Sequence, residues 1–527
     1  MRRALVIFAL LLSPPAFAQN LTDLRVVAET PFARPGLPYT LHVGYWNQSQ
    51  VTATGAVLTV TAAVDILQAP AGCTISGRTA TCDVGTLPGW TTAPHPDFRG
   101  LSFVLRALDA NEQQFDVRVE IQSQGVEGLP ENNVFTAAVR TMRAFYVTST
   151  ADAGSGSLRE AIHNANAACF AEVPCLIGFR IANASAQWVT IAPETPLPPI
   201  TRFNIAFDGN SQTEFFGDSN PLGPEVELSG GLQREGNGLS YFGCTGFAVR
   251  GLAINGFPGN GILLAGDHDC QSQNVTVENN YIGTDPTGTR AIGNQRGIYV
   301  DGFVQAAIQH NVISGNVRSG LYVQRGSVAA RRNIIGLTPD VAAPLGNGAS
   351  GVYLGAASGG SDVSHNHIGF SLHWGIAIHP LATFISAAPN SLQANVGLGI
   401  DWGFDMNPEN GPVGLPDITS VRVENGQTII EGTVSEANNS VPNRIDVYAN
   451  DAPDPSGYGE GQYTLGSVEL SPTRTFRFVY PGDLRGKWVT ATLTHTTLLG
   501  LRAPGEDDIS SGIGRTTSDF SRAVLVP

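Results

Sequence analysis

Between Gly261 and Trp402 the hydrophobic positions fall into a repeated phrase: a Gly, an aliphatic residue, any residue, then a further apolar one. It reads Gly261-Ile-Leu-Leu, Gly297-Ile-Tyr-Val, Gly320-Leu-Tyr-Val, Gly351-Val-Tyr-Leu, Gly375-Ile-Ala-Ile and Gly399-Ile-Asp-Trp. A second phrase interleaves with it, an Asn before a short apolar strand, at Asn255, Asn280, Asn311, Asn333 and Asn366. Both recur at spacings of 22 to 36 residues. Period-two alternation is strand patterning, and self-similarity at this period predicts stacked coils around one continuous core. Each Asn is assigned to a sharp turn, because Asn tolerates the left-handed backbone and can hydrogen-bond its neighbours in a stack.

The flanks alternate too, without the repeat. Residues 19–141 carry short apolar-polar runs such as Tyr39 to Tyr45 and Phe115 to Ile121, broken by Gly, Pro and Asn, and this predicts a β-sandwich. Residues 414–527 alternate likewise, from Ile418 to Val423 and Val489 to Thr494, and predict a second one. One helical signal stands out near 157–168. Ser157-Leu-Arg-Glu160 is a capping box, with Leu158, Ile162 and Ala165 on one face, suited to covering an open solenoid end. The expected fold class is therefore all-β: a parallel β-helix over 142–413 with N-terminal and C-terminal β-sandwich domains and one short capping helix.

Composition refines this picture in three places. The start, Arg2-Arg3, an apolar run from Ala4 to Leu12 and Ala16-Phe17-Ala18, reads as a secretory signal over residues 1–18, so export is expected without membrane insertion. Six Cys form local pairs, Cys73 with Cys82, Cys169 with Cys175 and Cys244 with Cys270, and in an exported chain such pairs predict disulfides. The formal charge of −15 argues against a nucleic-acid partner.

The stretch from Phe145 to Ile162, with Ser157-Leu-Arg-Glu-Ala161 at its heart, resembles the start of a family of exported bacterial right-handed parallel β-helix proteins marked by a Cys-Ser-Leu-Arg-Glu-Ala motif; Gly156 stands in place of the Cys. Ile282-Gly-Thr-Asp-Pro-Thr-Gly-Thr-Arg-Ala-Ile-Gly-Asn294 resembles a phrase of the same family. So do Asp454 to Gly461 and Thr517 to Ser521, whose counterparts follow such helices. Pro130-Glu-Asn-Asn133 resembles the ending of bacterial immunoglobulin-like repeats. The resemblance implies right-handedness, export and spacer modules, and it implies no reaction.

Candidate chemistry lies on the Gly-initiated strands. Alternation turns the middle residue outward, giving the column Leu263, Tyr299, Tyr322, Tyr353, Ala377 and Asp401. Two residues on, a second column reads Ala265, Asp301, Gln324, Gly355, His379 and Gly403. Tyr299, Tyr322 and Tyr353 beside Asp301, Gln324 and His379 are the expected binding residues for a polysaccharide or cell-surface polymer. An alternative is a polysaccharide lyase or hydrolase on an acidic glycan, with Asp301 and Arg325 as catalytic candidates; a third is a structural stalk or adhesin. No cofactor is expected, with calcium at Asp267 and Asp269 the one metal left open. The two long loops, Thr284 to Arg296 and Leu337 to Ser350, are expected on the binding side.

Overall fold

The structure is a computed structural model and describes residues 21–90, 97–170, 173–182, 187–243, 245–266, 272–404, 411–435, 443–498 and 513–527. The signal-like segment 1–18, the Cys244 and Cys270 pair and the metal candidates Asp267 and Asp269 lie outside the described residues. The chain divides into two compact units, one ending at Ala144 and the other running Phe145–Pro527.

In the first unit, alternation generates two antiparallel sheets. One has four strands, in the order Leu24–Glu29, Pro38–Asn47, Arg99–Arg106 and Ile66–Gln68. The other has five, in the order Cys73–Ser76, Thr79–Leu87, Ala53–Ala62, Gln114–Gln122 and Val134–Arg140. Leu41 and Phe103 from the first and Leu58, Val60, Val117 and Val119 from the second share one buried core. Cys73 lies directly opposite Cys82, and a disulfide with an S–S length of 2.02 Å joins them.

In the second unit, successive strands are dealt in rotation to three parallel sheets. The first runs from Arg143–Val147 to Asp362–Ser364 (eight strands), the second from Val189–Ile191 to Ser391–Gln393 (eight), and the third from Leu239–Tyr241 to Ile400–Trp402 (seven). This is consistent with a parallel β-helix. One apolar cluster fills the space between the sheets from Val147 to Trp402, built of residues such as Val277, Ile308, Ile282, Ile313, Val300 and Val323. Each such side chain contributes about 1.5–3 kcal/mol on burial, so a continuous column of them outweighs any single surface interaction.

Between the first and second sheets the backbone turns on an asparagine ladder. The N–H of Asn280 donates to Asn311 Oδ1, and so on through Asn333 and Asn366 to Asn390, at 2.9–3.0 Å. The structure corrects the expected turn in two respects. The left-handed residue is the one before each ladder Asn: Asn279, His310, Arg332 and His365, with φ of 55 to 60°. The ladder Asn itself is held by three or more hydrogen bonds, which leave its side chain no freedom to serve a ligand. Asn255 is not a rung. It ends the second-sheet strand Leu252–Asn255, and its Nδ2 donates to Glu227 Oε1 at 2.7 Å. A second ladder, not anticipated, joins Asn294, Asn316 and Asn347 before the third sheet.

The helix α1 (Leu158–Ala168) covers the first end as expected, placing Leu158, Ile162 and Ala165 in the core, and Cys169 is bonded to Cys175 at 2.06 Å. The capping box is closed in both directions: Ser157 Oγ accepts from Glu160 N–H at 3.2 Å, and Glu160 Oε2 accepts from Gly156 N–H at 2.6 Å. Ser157→Ala is therefore expected to cost about 1 kcal/mol, read as a lower midpoint of chemical unfolding with an unchanged slope. The expectation of a single helix is corrected by α2 (Asn210–Phe216). Its Ser211 and Gln212 bond the backbone of Phe179 and Ile181, side-chain contacts that hydrophobic periodicity does not report.

At the other end two further antiparallel sheets follow. One holds Pro416–Glu424, Gln427–Val434 and Thr475–Tyr480; the other holds Tyr463–Glu469, Arg444–Asn450, Trp488–Leu498 and Ile513–Thr517, with Val524–Leu525 paired to Trp488–Leu498. Residues 460–462 and 517–520 close the last coil. Leu392 N–H donates to Gly461 O at 3.1 Å, Asn395 N–H to Glu460 Oε1 at 2.9 Å, and Trp402 Nε1–H to Thr517 O at 2.9 Å. Tyr448 and Phe520 complete the apolar column itself. Unpaired strand edges and an open core end are thus both satisfied by one docked module.

Candidate functional site

The third sheet positions the predicted columns. Leu263, Tyr299, Tyr322, Tyr353, Ala377 and Asp401 are partnered strand by strand in that order. Their neighbours Ile298, Val300, Leu321, Val323, Val352 and Leu354 are fully buried, which turns the tyrosines to the outer face, where they are half-buried. Ala377 and Asp401 depart from the expectation: both are completely buried. Phe404 supplies the next ring instead.

Stacking sets how the rings are presented. Tyr322 and Tyr353 lie 4.3 Å apart at 4° between planes, Tyr353 and Phe404 5.4 Å apart at 16°, and Tyr299 meets Tyr322 edge-on at 5.4 Å. Ring faces are therefore turned to one another, and what the stack offers outward is edges and hydroxyls. Trp374 and His379 pack against Phe404 at 5.7 and 5.8 Å. At the other end the Arg296 guanidinium sits over Tyr322 at 4.7 Å and over Tyr299 at 5.4 Å.

The second column ties the hydroxyls to polar partners. Tyr322 Oη donates to Gln324 Oε1 at 3.0 Å, and Tyr299 Oη to Asp301 Oδ2 at 3.4 Å. Asp301 Oδ1 accepts from Arg325 Nε at 2.6 Å. His379 Nδ1 accepts from the Leu381 N–H at 3.1 Å, which leaves Nε2 as the ring's outward nitrogen. Burial raises the Tyr299 hydroxyl pKa, with Asp301 adding to it, and pushes Tyr353 up to about 12 with help from Tyr322. These hydroxyls stay protonated at neutral pH.

That geometry weighs against the two catalytic schemes. A general base works best with a pKa near the working pH, and these tyrosines move the other way. Hydrolysis needs two carboxyl groups about 5 to 9.5 Å apart. Asp401 is four strands along the stack from the Tyr299 level, roughly 19 Å at about 4.8 Å per coil, and is buried. Among the described residues no cluster of three or more His, Cys, Asp or Glu could hold a metal ion.

Asp285 closes the first long loop by accepting from Thr289 and Arg290 N–H, and Asp340 closes the second by accepting from Thr338 Oγ1 and Ala342 N–H. Gly288, at φ 71°, leaves room for the Pro339 ring and for Tyr281 of the second sheet. Gly288 of the first loop meets Pro339 of the second and Tyr281, and the first loop ends at Arg296, which lies on the tyrosine stack. Clefts of ≈ 480 Å³ at Thr419, Glu431 and Arg477 and ≈ 330 Å³ at Asn210, Asp218 and Tyr281 include no residue of the stack.

Sequence patterning missed Arg296, Trp374 and Phe404. Strict alternation sends Arg296 inward with Ile298 and Val300, but the turn at the strand's start releases it onto the rings. Phe404, at φ 64°, lies past the last strand, where no periodicity exists to read.

Fold and site together define a class, a nearly all-β protein of long parallel sheets consistent with a β-helix, with an aromatic and polar outer face. No family model and no curated protein matches the sequence. Solved structures similar to it include the catalytic domain of a GH87 alpha-1,3-glucanase in complex with tetrasaccharides, at 9% identity and a TM-score of 0.19, covering 73% of this chain and 88% of that one. The same type of domain in complex with nigerose matches at 10% identity and a TM-score of 0.18, with the same coverage. Similarity at this level assigns no residue of the site.

Proposed function

We propose that this is an exported protein whose right-handed parallel β-helix binds a polysaccharide or another surface polymer along the third sheet, with immunoglobulin-like sandwiches as spacers. Right-handedness follows from the near-universal hand of parallel crossovers. The observation that carries the reading is the register of Tyr299, Tyr322 and Tyr353, which repeats a tyrosine hydroxyl once per coil on the outer face of the third sheet. A ligand matching that surface is itself linear and repeating. Because the ring faces are occupied by one another, recognition is through hydroxyls and the neighbouring Gln324, Asp301 and His379 rather than by sugars lying flat on rings.

The test is retention on immobilised polysaccharides. A Y299F/Y322F/Y353F protein keeps the stack and loses the hydroxyls, so its affinity is expected to fall by roughly tenfold to a thousandfold, from about 0.5–1.5 kcal/mol for each of three hydrogen bonds. Equal retention of the triple variant and the natural protein would remove the reading. The mutual stacking of the rings also favours a second one, a stalk whose aromatic column stiffens the sheet. In that case the triple variant is unaffected, whereas Tyr322→Ala lowers thermal stability.

A further inference from the structure

The face that carries the tyrosines differs in charge from the rest of the chain. Formal charge over the sequence is −15. On the third sheet the one partly exposed carboxylate of the two columns, Asp301, is neutralised by Arg325. One further guanidinium lies on the stack, and a second arginine follows in the turn that leads into the next strand of the sheet. Arg296 lies over Tyr299 and Tyr322, and Arg318 is exposed in the next coil, where its N–H donates to Gln295 O at 2.9 Å. Among the described residues neither guanidinium has a carboxylate partner, although the chain as a whole has 45 acidic residues against 30 basic ones. Two arginines without a carboxylate partner, on adjacent coils of so acidic a protein, mark this edge as a local anion site, Arg318 lying opposite Gln295, one position before Arg296.

We propose, resting on the polymer-binding reading above, that the ligand is an anionic polysaccharide, whose carboxylate or sulfate groups are met by Arg296 and Arg318 while its hydroxyls meet the tyrosine edges. A guanidinium held flat on a ring keeps its in-plane N–H groups free for a bidentate contact, and its stem is already ordered. The overall negative charge then acts against polyanions everywhere except along this edge, which favours a ligand of modest charge density over a nucleic acid.

The experiment compares charge-matched pairs on the full chain: dextran against dextran sulfate, and methyl-esterified against free polygalacturonate, each at low and high salt. The expected result is retention by the charged member of at least one pair, weakened by salt, with R318Q and R296Q each lowering affinity about tenfold, the effect of losing one charge-assisted hydrogen bond. Arg318 is exposed, so R318Q reports on binding even if R296Q loosens the ring stack; melting curves check both. Equal retention of neutral and charged members, or unchanged affinity of R318Q and R296Q, overturns the anionic assignment and leaves the polymer reading standing. Equal retention of single-stranded DNA overturns it as well, since the edge would then be a general polyanion site. Loss of retention by every polysaccharide is the separate failure of the underlying reading.

Discussion

Replacing Asn311 by alanine is expected to lower stability by about 4 kcal/mol, the largest effect of any single polar substitution in the repeat. The side chain is fully enclosed by hydrogen bonds: Nδ2 donates to Val277 O at 2.8 Å and Asn333 Oδ1 at 3.0 Å, and Oδ1 accepts from the Asn280 N–H and Nδ2–H, both at 3.0 Å. Asn311 is 1% exposed, so water cannot replace what is lost. Each buried donor or acceptor left unsatisfied costs about 1–3 kcal/mol, and alanine strands at least two, the Asn280 N–H and Val277 O. Urea unfolding followed by circular dichroism is the measurement. A change below about 1 kcal/mol would mean that the ladder is not the turn's main support.

Glu460→Gln is expected to change the pH dependence of the second unit. Glu460 accepts from the Asn395 N–H at 2.9 Å and takes the place of a further ladder rung below the last coil. Burial at the docking surface, with Asp454 nearby adding to it, raises its carboxyl pKa to about 7 from the usual 4.5. The sign is that of an acid favoured in its neutral form by folding. Its contribution is fully present below about pH 4.5, is lost as pH rises through about 7, and levels off above. The amide keeps the acceptor oxygen and cannot ionise. The variant should therefore match the natural protein near pH 4 and exceed it near pH 8 by on the order of 3 kcal/mol. Trp402, whose indole N–H reaches Thr517 O at 2.9 Å across the same surface, provides the fluorescence signal. Parallel pH profiles for the two proteins would show that Glu460 does not titrate on docking.

Most of the scaffold was legible because it depends on local periodicity. Alternation turned Tyr299, Tyr322 and Tyr353 to one face, and the recurring Gly-aliphatic phrase, at spacings of 23 and 31 residues, marked them as register partners. The capping box at Ser157 and the disulfide pairs Cys73 with Cys82 and Cys169 with Cys175 were legible for the same reason, their partners being close in sequence. The segments around Gly461 and Thr517 were recognised as following the coils, but their task, closing the last one, needs coordinates, because their partners Leu392 and Trp402 lie about 70 and 115 residues away.

What the sequence determined by itself, then, is which residues share a stripe. Side-chain direction in a strand has period two, and each coil repeats the same Gly-aliphatic phrase whatever the length of its loops, so both are written along the chain. What only the tertiary structure decided is what each stripe exposes. Ring-on-ring stacking, the arrival of Phe404 where Ala377 leaves no ring, the placement of Arg296 over Tyr322 and the packing of Gly288 against Pro339 and Tyr281 arise from contacts between residues distant in sequence. Their geometry depends on side-chain packing and turn conformation, and neither has a period that a sequence can carry.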